Sequence, residues 1–244
     1  MRKLLLTIGA VGTATLAIGA GTALGATAVV TVDGQMTGKE TPKLDKKKFK
    51  PTSITVSTTT LDADNPAGLP PKPTQAVITY DKKNVRFNSD AAPTCEPSQI
   101  AGTTTEGAIE ACGDAQVGTG RSVASLPFGV GGTRQDIPAV VTAFNRGDTE
   151  GILLHARADE IGTTTLLSAT LKKGYILTVT VPPIAGGVGS STEFSTTVQA
   201  KDYVQARCKD KKIDYRADFS FSDAGPASDT DVQACKQKKR KRNQ

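Results

Sequence analysis

The chain has 244 residues, with 30 Lys+Arg against 24 Asp+Glu, four cysteines, one histidine and no tryptophan. Aromatics at 5%, charged residues at 22% and 33 threonines exclude a disordered chain and a helical bundle, and fit a β protein. Without tryptophan, a flat sugar-stacking face loses its usual residue.

Met1-Arg2-Lys3 is a short positive segment, and Leu4 to Leu24 carries no charge. Ala23-Leu24-Gly25 then offers the small residues a signal peptidase requires, with Ala26-Thr27-Ala28 as a second acceptable site. The pattern predicts a signal peptide over residues 1–25 and a secreted chain; the rival reading is an uncleaved membrane anchor. No cysteine follows the apolar run, which argues against a lipid anchor. The remaining length suffices to bury roughly 70% of its unfolded surface, enough for one large domain.

The first strand is expected at 27–32, followed by a lysine-rich stretch from Lys39 to Lys50. Ser53 to Ser57 alternates with period two, as a half-buried strand does. Asp62 to Pro73 holds Pro66, Pro70, Pro71 and Pro73, which predicts an extended surface loop. Ala76 to Tyr80 and Asn84 to Phe87 read as a hairpin pair linked by Asp81-Lys82-Lys83. One short helix is expected within Ser98 to Ala111, with Ile109 facing inward. Strands resume at 116–122, 137–144, 151–158, 163–171, 175–181, 193–199, 203–207, 215–221 and 231–234. Leu177, Val179 and Val181 alternate with Thr178 and Thr180, and Ala217, Phe219 and Phe221 share the face opposite Arg216, Asp218 and Ser220.

A dozen short strands at this spacing predict an all-β fold, an antiparallel β-sandwich of jelly-roll or Ig-like type with one short helix. A single domain over residues 26–235 is the simplest organisation, with 236–244 as a basic disordered tail. A division near Arg121 to Asp136, where glycines cluster, is the alternative. The four cysteines, Cys95, Cys112, Cys208 and Cys235, allow three pairings. Local spacing favours Cys95–Cys112 and Cys208–Cys235, each contributing about 3 kcal/mol by loop closure. A zinc site is the rival, but no CxxC pair exists and the histidine is remote.

The segment order carries a resemblance. Pro93-Thr94-Cys95, the stretch ending Glu110-Ala111-Cys112, then Val117-Gly118-Thr119-Gly120 and Phe144-Asn145 follow one another. Pro183-Ile184-Ala185-Gly186-Gly187-Val188-Gly189-Ser190 and the final cysteine pair complete the series. In this order the chain resembles a group of uncharacterised secreted β-rich proteins of soil actinobacteria, over nearly its whole length past the signal peptide. The resemblance implies secretion and the same fold; no activity is known for that group and no site residue is transferred.

No motif specifies chemistry. His155 must carry any histidine-dependent mechanism, yet its strand parity groups it with Leu153 and Arg157, and no GxSxG elbow precedes it. It reads as structural. Asp136 and Asp159-Glu160 are candidate glycosidase carboxylates, without the aromatic faces a sugar cleft normally has. The loops with Asp62, Asp64 and Asn65, and with Asp223, Asp229 and Asp231, lack a full calcium-loop spacing and read as turns. Gly129-Val130-Gly131-Gly132 and Gly186-Gly187-Val188-Gly189 read as turns between strands, since no helix follows to hold a phosphate. Arg146-Gly147-Asp148 reads as turn chemistry.

Lys236, Lys238, Lys239, Arg240, Lys241 and Arg242 form a basic run with no aromatic between them. It suits an anionic cell-wall polymer or membrane surface and gives no stacking signal for specific nucleic acid. The expected function is a non-enzymatic extracellular or envelope-associated binding or structural module. A secreted polysaccharide-acting hydrolase with loop carboxylates is the alternative, and an extracellular polyanion or nucleic-acid binder the third. No cofactor and no small-molecule ligand is indicated. The charge is uneven: residues 26–50 hold six basic against three acidic groups, while 51–235 hold sixteen against twenty-one. The reading is an acidic β domain with basic ends, whose envelope association deletion of residues 236–244 would abolish.

Overall fold

The computed structural model describes residues 26–128, 132–147, 151–200 and 202–238; the expected signal peptide and the tail from Lys239 lie outside the described residues. In chain order the first strands are β1 (Ala28–Met36), β2 (Lys43–Leu44), β3 (Lys50–Pro51), β4 (Ile54–Asp62), β5 (Pro73–Tyr80) and β6 (Val85–Phe87). Helices α1 (Pro97–Ile100) and α2 (Thr105–Cys112) follow. Then come β7 (Gln116–Phe128), β8 (Thr133–Gly147), β9 (Gly151–Ala158), β10 (Thr163–Lys172) and β11 (Ile176–Thr180). The last are β12 (Ser190–Val198), β13 (Val204–Ala206), β14 (Lys212–Phe221), β15 (Ala227–Ala234) and β16 (Lys236–Gln237).

Eleven strands form one sheet in the order β1-β4-β12-β7-β8-β9-β10-β11-β5-β14-β15. All of its neighbours run antiparallel, as the period-two patterns and dense β-branched residues favour. The fold is the expected all-β sandwich with two disulfides, but both layers belong to one sheet rolled until β1 and β15 meet. The seam is closed by side chains: Asp229, Asp231 and Gln233 of β15 accept hydrogen bonds from the backbone N–H groups of Val32, Gly34 and Met36 at 2.8, 2.9 and 2.9 Å. Gly34 sits flat against the Tyr215 ring, where a Cβ would collide with it.

Strand direction assigns every connection to one end of this barrel. At one end, the β4–β5 link and the β11–β12 link each cross between strands far apart in the sheet order. At the other, two small sheets, β3-β13-β6 and the parallel pair β16-β2, close the base. Met36, Val117, Tyr203 and Val204 are fully buried there.

Three local expectations are corrected. β5 and β6 do not form a hairpin: β5 pairs with β11 and β14, while β6 pairs with β13. The proline-rich segment is not wholly a surface loop, because Pro70 and Pro71 are buried and Pro73 opens β5, a position where the ladder loses nothing. The expected short helix is present as α2, capped by Thr104 and preceded by the single turn α1 with its Glu96/Gln99 capping box, but its inward face is not the expected one. Ile109 is 41% exposed, and Ala108 and Cys112 face inward in its place. These small residues join Cys95, Ile100, Ala115, Phe144 and Leu153 in a second core outside the barrel wall. Cys95 is bonded to Cys112 there, and Cys208 to Cys235 at the base.

Candidate binding cavity and basic pole

The rolled sheet encloses a cavity of about 210 Å³. β4 turns Ile54, Val56, Thr58 and Thr60 into it, and β9 turns in Ile152, Leu154, Ala156 and Ala158, at strict period two. The space exists because many inward positions hold small side chains: Ser122 and Ala124 on β7, Ala139 on β8, Ala156 and Ala158 on β9, Thr163 and Thr165 on β10. No charged residue lines it.

Exposure of the lining shows where the cavity opens. Ile54, Ile152, Tyr80 and Val198, toward the base, are 1–6% exposed. Ile161, in the β9–β10 turn at the opposite end, is 40% exposed, and Ala185 beside it in the β11–β12 crossing is also exposed. The two crossings edge this mouth: Ser190 Oγ donates to the Pro71 carbonyl at 2.6 Å, and Arg134 Nη1 donates to the Gly68 carbonyl at 3.0 Å.

The base carries the charge. Five chain segments meet there through backbone contacts. Arg207 donates to the Lys83 carbonyl at 2.6 Å and to the Lys47 carbonyl at 3.3 Å. The backbone N–H groups of Cys208, Lys236 and Lys238 donate to the carbonyls of Asp45, Pro42 and Leu44, and that of Phe87 to Gly174. The segments bring Lys39, Lys43, Lys46, Lys47, Lys48 and Lys50 together with Lys82, Lys83 and Arg86. Lys172 and Lys173, then Arg207, Lys209, Lys211 and Lys212, then Lys236 and Lys238 complete the pole. Within these five segments stand six acids, Glu40, Asp45, Asp81, Asp202, Asp210 and Asp214, and the β6–β7 link adds Asp90, Glu96 and Asp114 at the same end, where Glu96 pairs with Arg146. Among the described residues the basic groups away from this end are Lys72, Arg121, Arg134, Arg157 and Arg216, five against thirteen acids.

The acidic domain with basic ends is thus corrected: the two basic ends and the domain's own lysines share one pole. Lys236 and Lys238 belong to it, and Lys239, Arg240, Lys241 and Arg242 lie outside the described residues. Phe49 is held between the guanidinium groups of Arg86 and Arg207, at 4.6 and 4.4 Å from its ring centroid.

The remaining sequence candidates do not converge. His155 is fully buried on the outer face of β9 beneath the helices, with Nε2 donating to the Thr103 carbonyl at 3.2 Å. Burial holds its pKa below the ordinary 6.5, so the ring is neutral. Asp136 is bound by Arg134 and Ser125, and the Arg134 contact holds its carboxyl below the usual carboxylate range. Asp159 pairs with Arg157 at 2.9 Å, and Glu160 accepts from Gln135. Asp62 accepts from Thr27 and Asp64, and Asp223 from Lys72, all backbone N–H donors. Among the described residues no three His, Cys, Asp or Glu side chains are grouped to hold a metal. The second glycine run forms a turn with Gly186 and Gly187 at positive φ; Gly129, Val130 and Gly131 of the first, and Asp148, lie outside the described residues.

Comparison with protein-family models, with curated proteins and with solved structures gives no match to this chain. The cavity has a faint signal in the sequence: alternate positions of β7 to β10 hold Ala, Ser and Thr where Leu or Phe would fill a barrel.

Proposed function

We propose that the protein is a non-enzymatic extracellular binding module, held at an anionic cell-envelope polymer by its basic pole. The single observation behind this reading is the gathering of seventeen basic residues from five segments onto one end. Fifteen are lysines, compact point charges suited to a flexible polyanion rather than to bidentate recognition of one group. The two arginines already engage Phe49, which leaves that ring unavailable for base stacking. The exposed large apolar side chains Leu61, Phe128, Ile161 and Val188 lie toward the mouth, Ile109 and Val140 on the flanks, and Val232, opposite Asp214, at the edge of the pole. The pole therefore offers charge with one exposed apolar side chain at its edge, too little for insertion, which favours a polymer over a lipid surface. Two disulfides, typical of extracellular proteins, agree with this location.

Retention of the purified chain on immobilised inorganic polyphosphate tests the reading. Expected is binding that weakens steeply between low and physiological salt. Replacing Lys46, Lys47 and Lys48 with Glu abolishes it, while removing residues 239–244 only weakens it. Equal binding by the triple variant, or stronger binding to anionic vesicles or duplex DNA, would overturn it.

A further inference from the structure

We propose that the barrel cavity binds a small neutral molecule with an apolar body and one hydrogen-bonding oxygen, which meets the hydroxyl of Thr196. This site is independent of the basic pole. Its volume, about 210 Å³, exceeds the ~150 Å³ apolar void that admits benzene and falls short of the ~300 Å³ of common ligand clefts. One small ring system or a short alkyl chain fits; a bulky lipid does not. Protein interiors rarely keep voids this large, and here nine strands contribute to the lining.

Thr196 supplies the polar requirement. It lines the cavity from β12 and is 9% exposed; its Oγ1 has no hydrogen-bond partner among the described residues and is turned away from the open space, so a ligand meets it after rotation about χ1. Other hydroxyls of β12 are satisfied: Thr192 donates to the Val123 carbonyl at 3.0 Å, Ser195 pairs with Ser57 and Thr197 with Thr55. A buried hydroxyl without a partner is costly, and turning it toward a ligand oxygen in the cavity removes that cost. The ligand is neutral because none of the lining residues is charged, so a carboxylate or ammonium group would lose its water without gaining a counter-ion. Access is through the mouth, past Ile161 and Ala185, and Thr196 lies toward the base, two residues from Val198 at the end of β12. The oxygen therefore enters first and the apolar body fills the space between it and the mouth.

Toluene, benzyl alcohol and benzoate have nearly one shape and separate these claims. Titrated into the full chain and followed by NMR shifts of the Ile54, Leu154 and Val198 methyl groups, benzyl alcohol and toluene are expected to bind and benzoate not to. Thr196→Val, nearly isosteric, should weaken benzyl alcohol about fivefold, one hydrogen bond's worth, and leave toluene unchanged. Ala156→Leu, which narrows the cavity without touching Thr196, should weaken both. Failure of both neutral probes to shift the methyls would overturn the site itself. An unchanged benzyl alcohol affinity in Thr196→Val would overturn the role of that hydroxyl, and benzoate binding as tightly would overturn the neutrality of the ligand. The polyphosphate interaction, read separately, stands or falls on its own.

Discussion

The carboxylate of Asp231 accepts a hydrogen bond at 2.9 Å from the backbone N–H of Gly34, 197 residues earlier in the chain. The same offset recurs at Asp229 with Val32 and at Gln233 with Met36. A constant offset is a register, so the side chains of β15 pair with β1 as a strand backbone would. Gln233 is fixed in turn by Tyr215, whose hydroxyl donates to its Oε1 at 3.2 Å, and by its own Nε2, which donates to the Lys39 carbonyl.

Asp231→Ala leaves the Gly34 N–H without its acceptor in a partly buried seam. The expected loss is about 1–2 kcal/mol of unfolding free energy, with faster amide exchange at Gly34 than on β9. Asp231→Asn, which keeps an acceptor oxygen, should recover most of it. Denaturant titration with hydrogen exchange reads both; exchange at Gly34 unchanged in the alanine variant would show that the backbone closes the seam alone.

His155 makes stability depend on pH. Burial, its largest influence, lowers its pKa in the folded state below 6.5, while the unfolded ring titrates near that value. As pH falls through 6.5 the unfolded chain takes up a proton that the folded one refuses, so stability declines until the lowered folded pKa is reached. His155→Gln removes this component: its stability should stay flat over the window in which the parent falls. Chemical denaturation at a series of pH values measures the difference, and parallel curves would refute it.

Replacing Cys95 and Cys112 with Ala frees the loop that carries α1 and α2. With a separation of 17 residues the expected cost is about 3 kcal/mol. The loss should concentrate in the outer core around Phe144 and Leu153, with the barrel amides still protected. Hydrogen exchange distinguishes this from global loosening, in which β4 and β12 would lose protection together.

Much of the sheet is legible in the sequence because side-chain parity is a local property. Leu177 and Val179 point inward as their alternation requires, and Ala217 and Phe219 do likewise. Pairing is not local: Asp81-Lys82-Lys83 has hairpin chemistry, yet β6 finds its partner in β13 across more than a hundred residues. Ile109 misleads because α2 docks through the small side chains of Ala108 and Cys112, which let the helix approach the Phe144 core. The basic pole is invisible in a linear charge count, since strand direction alone decides that the turn at Lys82 and the segment at Lys211 share an end with Lys46. The cavity follows from the sum of many small inward residues, none of which is conspicuous alone.

The separation of the five basic segments at one end from thirteen acids away from it gives the molecule a permanent dipole along the barrel axis. A negatively charged surface exerts a torque on such a dipole before contact, turning the base inward as the molecule arrives. Attachment of the kind proposed would thereby be oriented, with the mouth at Ile161 pointing into the surrounding medium. Molecules so held would keep the cavity mouth clear, and the proposed ligand would exchange with the bulk liquid while the protein stays moored.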